Sequence, residues 1–170
     1  MRTTRQKIVP QLWFDTEAVE AAEFYTSIFP DSRILSQTTL YNTPSPLPEG
    51  RTDIVNFEIY GYEIGAISSG PLFEATPAIS FMINYDPAQM EDAEEALDAA
   101  WEQLIEGGFV MMELGEYFFS RHYGWVRDKY GVSWQLILTD PDAEERPPVI
   151  PALLFTQEVN GKAEEAIEHY

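Results

Sequence analysis

The sequence predicts an α+β fold built of paired βαβββ units whose strands form a cupped mixed sheet. An order of strand, helix, strand and hairpin runs through residues 7–76 and starts again through 77–139, and the apolar stretches are short and separated by proline or glycine clusters. Composition agrees: 45% of the 170 residues are hydrophobic and 14% aromatic, enough apolar surface for a packed core.

Residues 8–14 read as a short apolar strand. Asp15 or Thr16 offers an N-cap oxygen to a helix reaching Phe29, within which Val19, Ala22, Tyr25, Ile28 and Phe29 recur at helical spacing; Pro30 ends it. Residues 33–41 are the next strand. Residues 42–50 contain Pro44, Pro46 and Pro48, none of which can donate to a ladder, and form a loop able to rim a pocket. Residues 52–59 and 62–68 are two strands joined at Tyr60-Gly61, the spacing of an antiparallel hairpin.

In the second half, residues 78–85 are a strand and Pro87 sits where a helix can begin. Met90, Ala93, Leu97, Trp101, Leu104 and Ile105 mark its apolar face, and Gly107-Gly108 closes it. Residues 109–114, 117–126 and 132–139 supply the remaining strands. The two halves thus make one module, residues 1–140, followed by a linker, 141–148. Then the letters repeat: Val-Ile-Pro-Ala-Leu-Leu-Phe at 149–155 restates Ile-Val-Pro-Gln-Leu-Trp-Phe at 8–14, and Glu165-Ala-Ile-Glu-His-Tyr170 restates Glu20-Ala-Ala-Glu-Phe-Tyr25. Residues 149–170 are read as the opening of a second, truncated repeat, a strand plus a partial helix. Too small to bury a core of its own, it should dock on the first module, pair with a neighbouring chain, or fray.

Charge narrows the partners. With 29 acidic against 10 basic residues the formal charge is -19, which repels a phosphate backbone and argues against nucleic acid. Much of the acid lies between residues 86 and 106, read as a solvated helix face rather than a calcium site. There is no cysteine, so disulfides, thiolate metal sites and cysteine nucleophiles are excluded, in keeping with a cytoplasmic location. The apolar run at 8–14 is far shorter than the roughly 18 to 20 residues that span a bilayer, and neither export signal nor membrane anchor is expected.

Four stretches carry a resemblance: Leu12-Trp-Phe-Asp15; Glu20-Ala-Ala-Glu-Phe-Tyr-Thr-Ser-Ile-Phe29; Ala78-Ile-Ser-Phe81; and Gly124-Trp-Val-Arg-Asp-Lys-Tyr-Gly-Val-Ser-Trp-Gln135. Together they resemble the PhnB-like, or 3-demethylubiquinone-9 3-methyltransferase-like, branch of the vicinal-oxygen-chelate (glyoxalase/bleomycin resistance protein/dihydroxybiphenyl dioxygenase) superfamily, over roughly residues 7 to 139. The block from Asp128 to Gln135 is its most specific part. The resemblance implies a glyoxalase-like fold with sheets curled around one cavity, and a homodimer. It does not establish methyl transfer: a doubly wound methyl-donor enzyme would show a glycine-rich turn between strand and helix, whereas Gly107-Gly108 follows a helix and Ser69-Gly70-Pro71 closes a hairpin strand.

Metal-using relatives place His, Gln or Glu donors on four strands facing the cavity. The resemblance puts these positions at Pro10, near Ala66 or Ser68, at Ala78 and at Gln135. Only Gln135 could ligate, and one neutral amide cannot hold a divalent ion against water, so no cofactor is expected and a divalent metal is disfavoured. His122 and His169 belong to no visible triad, and Ser80 and Ser133 have no base beside them.

Strand alternation from those positions selects the cavity lining: Leu12 and Phe14 from Pro10; Ser80, Met82 and Asn84 from Ala78; Ser133 from Gln135, with Trp125 at a strand end. Ile79, Phe81 and Ile83 should face the helix, and Trp13, Trp101, Trp125 and Trp134 are read as core anchors, with Trp125, close to a strand end, also a candidate for the cavity lining. This mixture of apolar wall with a few amides and hydroxyls suits a small-molecule ligand oriented by Gln135 and Ser133. Two other functions remain open: a metal-assisted lyase, isomerase or dioxygenase-type enzyme whose ion is held partly by a partner chain or substrate, and a structural role in which the tail strand joins another sheet.

Overall fold

The computed structural model describes residues 6–169. They form two compact units, the first ending at Ala75 and the second starting at Thr76. The tail belongs to the second unit rather than standing apart.

The first unit runs β1 (Gln11–Phe14), α1 (Ala18–Ile28), β2 (Ser32–Leu40), a 3₁₀ turn at Pro48–Gly50, β3 (Thr52–Ile59) and β4 (Tyr62–Ser68). Its sheet has the order β1-β4-β3-β2, with β1 parallel to β4 and the other pairs antiparallel. Alternation along β3 buries Val55, Phe57 and Ile59 completely, and these face α1, where the Tyr25 and Phe57 rings lie 5.9 Å apart. Ala18, Ala21 and Ala22 are fully buried, so small side chains let the helix lie close on the sheet. Between β3 and β4, Tyr60 and Gly61 adopt φ of 49° and 76°, the two left-handed residues that a tight hairpin turn needs.

Two boundaries differ from expectation. The N-cap position of α1 is Glu17 instead of Asp15 or Thr16, and the cap comes from another element: the Ala18 N–H donates to Ser68 Oγ on β4 at 2.8 Å. β1 begins at Gln11 rather than at residue 8. The Gln6 amide is bonded to both backbone groups of Glu63, and the ladder to β4 opens where Gly65 N–H donates to the Pro10 carbonyl at 2.9 Å.

The second unit comprises β5 (Ile79–Tyr85), α2 (Ala93–Ile105), β6 (Phe109–Tyr117), β7 (Ser120–Arg127), β8 (Ser133–Leu138), β9 (Val149–Leu153), a 3₁₀ turn at Gln157–Val159 and α3 (Ala163–His169). Its sheet order is β6-β7-β8-β5-β9, with β5 parallel to β8 and the rest antiparallel. The mixed sheet is therefore two sheets, of four and five strands. α2 starts at Ala93 rather than at Pro87 because Asp86 closes a separate turn: its carboxylate accepts the Ala88 N–H at 2.9 Å and its carbonyl the Met90 N–H at 2.8 Å.

Phe81, Ile83 and Tyr85 of β5 pack with Trp134 and Leu136 of β8 and Leu97, Trp101 and Leu104 of α2 as the core. Ile79, expected on that face, is 51% exposed because it lies at the strand's first residue. A Cβ at Gly124 would stand 2.5 Å from Trp101 Cζ3, so the bare glycine is what lets the indole lie flat against β7. The turn from β7 to β8 is organised by Asp128, whose Oδ1 accepts the Tyr130 and Val132 N–H groups at 2.9 and 3.0 Å and whose Oδ2 accepts Trp134 Nε1–H at 2.8 Å. Gly131, at φ 86°, completes it.

β9 lies antiparallel along the outer edge of β5, from Ile79 opposite Leu153 to Ile83 opposite Val149. Of the fates open to the repeated segment, it pairs within its own chain. α3 buries none of its residues. No helix among the described residues is long and apolar enough to cross a membrane.

Candidate functional site

With Phe81, Ile83, Trp134 and Leu136 turned towards α2, alternation places Ser80, Met82, Asn84, Ser133, Gln135, Ile137, Tyr123 and Trp125 on the opposite, open face of the second sheet. Their polar groups are joined. Tyr123 Oη donates to Gln135 Oε1 at 2.7 Å, and Gln135 Nε2 donates to Ser80 Oγ at 2.7 Å, so one chain of hydrogen bonds crosses β7, β8 and β5. Trp125 Nε1 donates to Ser133 Oγ at 2.7 Å beside it. Ser80, Asn84, Tyr123, Ser133 and Ile137 are buried, whereas Met82, Trp125 and Gln135 remain half-exposed and present the side-chain surface on that face.

Asn84 has another task. Its Nδ2 donates to the Pro147 carbonyl at 2.7 Å and its backbone N–H to the Pro148 carbonyl at 2.8 Å, which fastens the linker to β5. Its Oδ1 is buried without a hydrogen-bond donor.

Leu12 and Phe14 are not on an open face. β1 sets Leu12 beside Ala66 and Phe14 beside Ser68, and those two β4 residues share the side of Val55 and Phe57, against α1. Phe14 is accordingly 4% exposed. The residues that β1 turns the other way are Gln11, whose amide lies over Gly65, and Trp13. Trp13 is therefore no core anchor of the kind Trp101 and Trp134 are; it is half-buried, with its Nε1–H on the Gly70 carbonyl at 2.9 Å and its ring edge-on to Phe73.

Three residues absent from the predicted lining complete the picture. Tyr123 was reachable by stepping back two residues from Trp125. So was Arg121, which with Phe119, Ile137, Asp140 and Arg146 lines a cavity of about 330 Å³ at the far end of the open face, near the start of β7. Arg146 had no such signal, because only the seating of the linker by Asn84 brings it there.

Burial, with a smaller contribution from Tyr117, pushes the Tyr123 hydroxyl up to about 12 from 10.0, so it stays protonated and keeps donating to Gln135. The folded state holds this proton more tightly than the unfolded chain does. The stability it contributes is thus complete below pH 10 and lost as pH rises towards about 12. Urea unfolding between those limits should show a steeper fall for the parent chain than for Tyr123→Phe; equal slopes would refute the assignment.

The donors that the fold's metal chemistry would use do not fit. Ser68 Oγ caps α1, Ala66 and Pro10 have no donor, Ala78 precedes β5, and Gln135, oriented by Tyr123 and Ser80, is a single neutral amide. Among the described residues no three His, Asp or Glu side chains gather as a candidate metal site. His122 instead pairs with Asp98 of α2, Nε2 to Oδ1 at 2.6 Å.

The family model described as 3-demethylubiquinone-9 3-methyltransferase matches residues 6–137, spanning both units up to β8. The chain belongs to this family. Among solved structures, a PhnB protein from Bacillus cereus, also described as a 3-demethylubiquinone-9 3-methyltransferase, is 39% identical and covers 79% of this chain and 100% of its own at a TM-score of 0.68. Protein PA1353 from Pseudomonas aeruginosa is 22% identical over 78% of this chain and 97% of its own, TM-score 0.61. The fosfomycin resistance protein FosX from Listeria monocytogenes shares the fold at 13% identity, over 78% of this chain and 92% of its own, TM-score 0.52. A comparison with curated protein sequences finds no match. The fold of this 3-demethylubiquinone-9 3-methyltransferase family member is glyoxalase-like, and its β9 and α3 lie beyond the matched segment.

Proposed function

We propose that the protein is a small-molecule-binding module that works without a catalytic metal, its ligand lying on the open face of the second sheet. The observation that carries this reading is the hydrogen-bonded row Tyr123–Gln135–Ser80 with Trp125–Ser133 alongside, in which buried hydroxyls orient Gln135 and Trp125, and these two with Met82 present the accessible surface on the face away from the Phe81 and Trp134 core. Such a mixture orients a ligand through a few polar atoms while apolar walls supply affinity.

Methyl transfer is set aside. The strand-to-helix connections inside the two βαβββ halves, residues 15–17 and 86–92, contain no glycine, the connection from β9 to α3 holds the single Gly161 rather than a glycine-rich turn, and neither sheet is the all-parallel kind that holds a nucleotide-like methyl donor at such a turn. A homodimer and a cytoplasmic location belong to the same proposal, supported by the family resemblance and the absence of cysteine.

Thermal-shift screening against a metabolite panel, followed by calorimetry, should find a ligand whose affinity falls about ten-fold in Gln135→Ala, the loss of one net hydrogen bond. No ligand from a broad panel, or a stoichiometric metal on elemental analysis of the purified protein, would overturn the reading; the second result would favour the metal-assisted enzyme.

A further inference from the structure

We infer that the cavity between the start of β7 and the linker is the part of this site that takes an oxyanion, so that the ligand is a small organic acid or phosphate ester with an aromatic or apolar body. The inference rests on the reading that the open face of the second sheet binds a small molecule, and it names that molecule's charge. Arg121 reaches the cavity from the same face of β7 as Tyr123 and Trp125, and Arg146 reaches it from the linker.

Charge makes the pairing uncommon for this chain. Basic residues number 10 against 29 acidic ones, yet two arginines share a cavity with a single carboxylate, that of Asp140. The carboxylate is engaged: Asp140 Oδ1 accepts the Asp142 N–H at 3.0 Å and shapes the loop. Arg33 and Arg51 each have an acidic partner, Glu58 and Asp53, at 2.9 Å; among the described residues neither Arg121 nor Arg146 is in an ion pair. Both arginines are exposed, and their guanidinium groups, without an ion pair among the described residues, are available to an external anion, which a guanidinium binds through paired N–H donors.

The apolar half of the ligand follows from the walls. Phe119 stands in a ring cluster, 5.6 Å from Tyr117 and 5.0 Å from Tyr123 between centroids, and Ile137 continues the open face towards Gln135. A volume of about 330 Å³ is at the small end of the range of ligand pockets and admits a monocyclic molecule.

The test titrates benzoate, phenyl phosphate and neutral benzyl alcohol into the full chain and into Arg121→Gln, Arg146→Gln and Gln135→Ala, with circular dichroism to confirm folding. Saturable binding of either anion, absent for benzyl alcohol and weakened about ten-fold or more in each arginine variant, supports the site; which anion binds tells carboxylate from phosphate ester. No anion binding, or anion binding indifferent to both arginines, overturns it. A panel ligand dependent on Gln135 but not on the arginines would overturn this inference alone and leave the proposed function standing.

Discussion

Replacing Asp128 with alanine is expected to destabilise the second unit by about 3 kcal/mol or more, since a buried donor left without its acceptor costs roughly 1–3 kcal/mol and here several are affected. The side chain is 4% exposed and holds two turn amides together with the indole N–H of Trp134, itself completely buried. Asparagine keeps one acceptor but turns an amide N–H towards another donor, so Asp128→Asn should fall between alanine and the parent. Urea unfolding followed by tryptophan fluorescence measures both. A loss below about 1 kcal/mol in the alanine variant would mean that Gly131 and the strand ladder set the turn unaided. The most recognisable block of the sequence is thus chiefly a folding device, with Gln135, its last residue, turned to the site.

The second large effect concerns the tail. Ending the chain at Pro148 should cost about 2 kcal/mol, mainly from the burial of Val149, which is 2% exposed, and should make the protein self-associate. β9 supplies the ladder partners for β5 from Ile79 to Ile83; without it those backbone groups form an open edge that accepts strands from other molecules. Sedimentation velocity across a concentration series, compared with the full chain, reads the association. A truncated chain as stable and as monodisperse as the parent would show that the edge is protected by something other than β9.

Where alternation was strict the sequence was readable. On β5 and β8, stepping by two from Gln135 and Ala78 found the open face, because Phe81, Ile83, Trp134 and Leu136 leave no doubt which side is the core. On β1 the residues Leu12, Trp13 and Phe14 are all large and apolar, so the pattern has a period but no sign, and only the seating of α1 decides it. Tertiary donors were equally invisible: the cap on α1 arrives from Ser68, fifty residues away in sequence, and Arg146 owes its place to a hydrogen bond from Asn84. The tail's letters announced a strand, yet not its partner, since any free edge satisfies backbone groups alike.

Asn84 has one more consequence. Through its amide and its backbone it fastens Pro147 and Pro148, with Arg146 immediately before them and β9 immediately after. Anchor, basic side chain and terminal strand form one mechanical unit. An occupant that holds Arg146 in its seated position should stabilise residues 149–153 on the sheet edge, and a seated strand should to the same extent favour the occupant, by the reciprocity of linked equilibria.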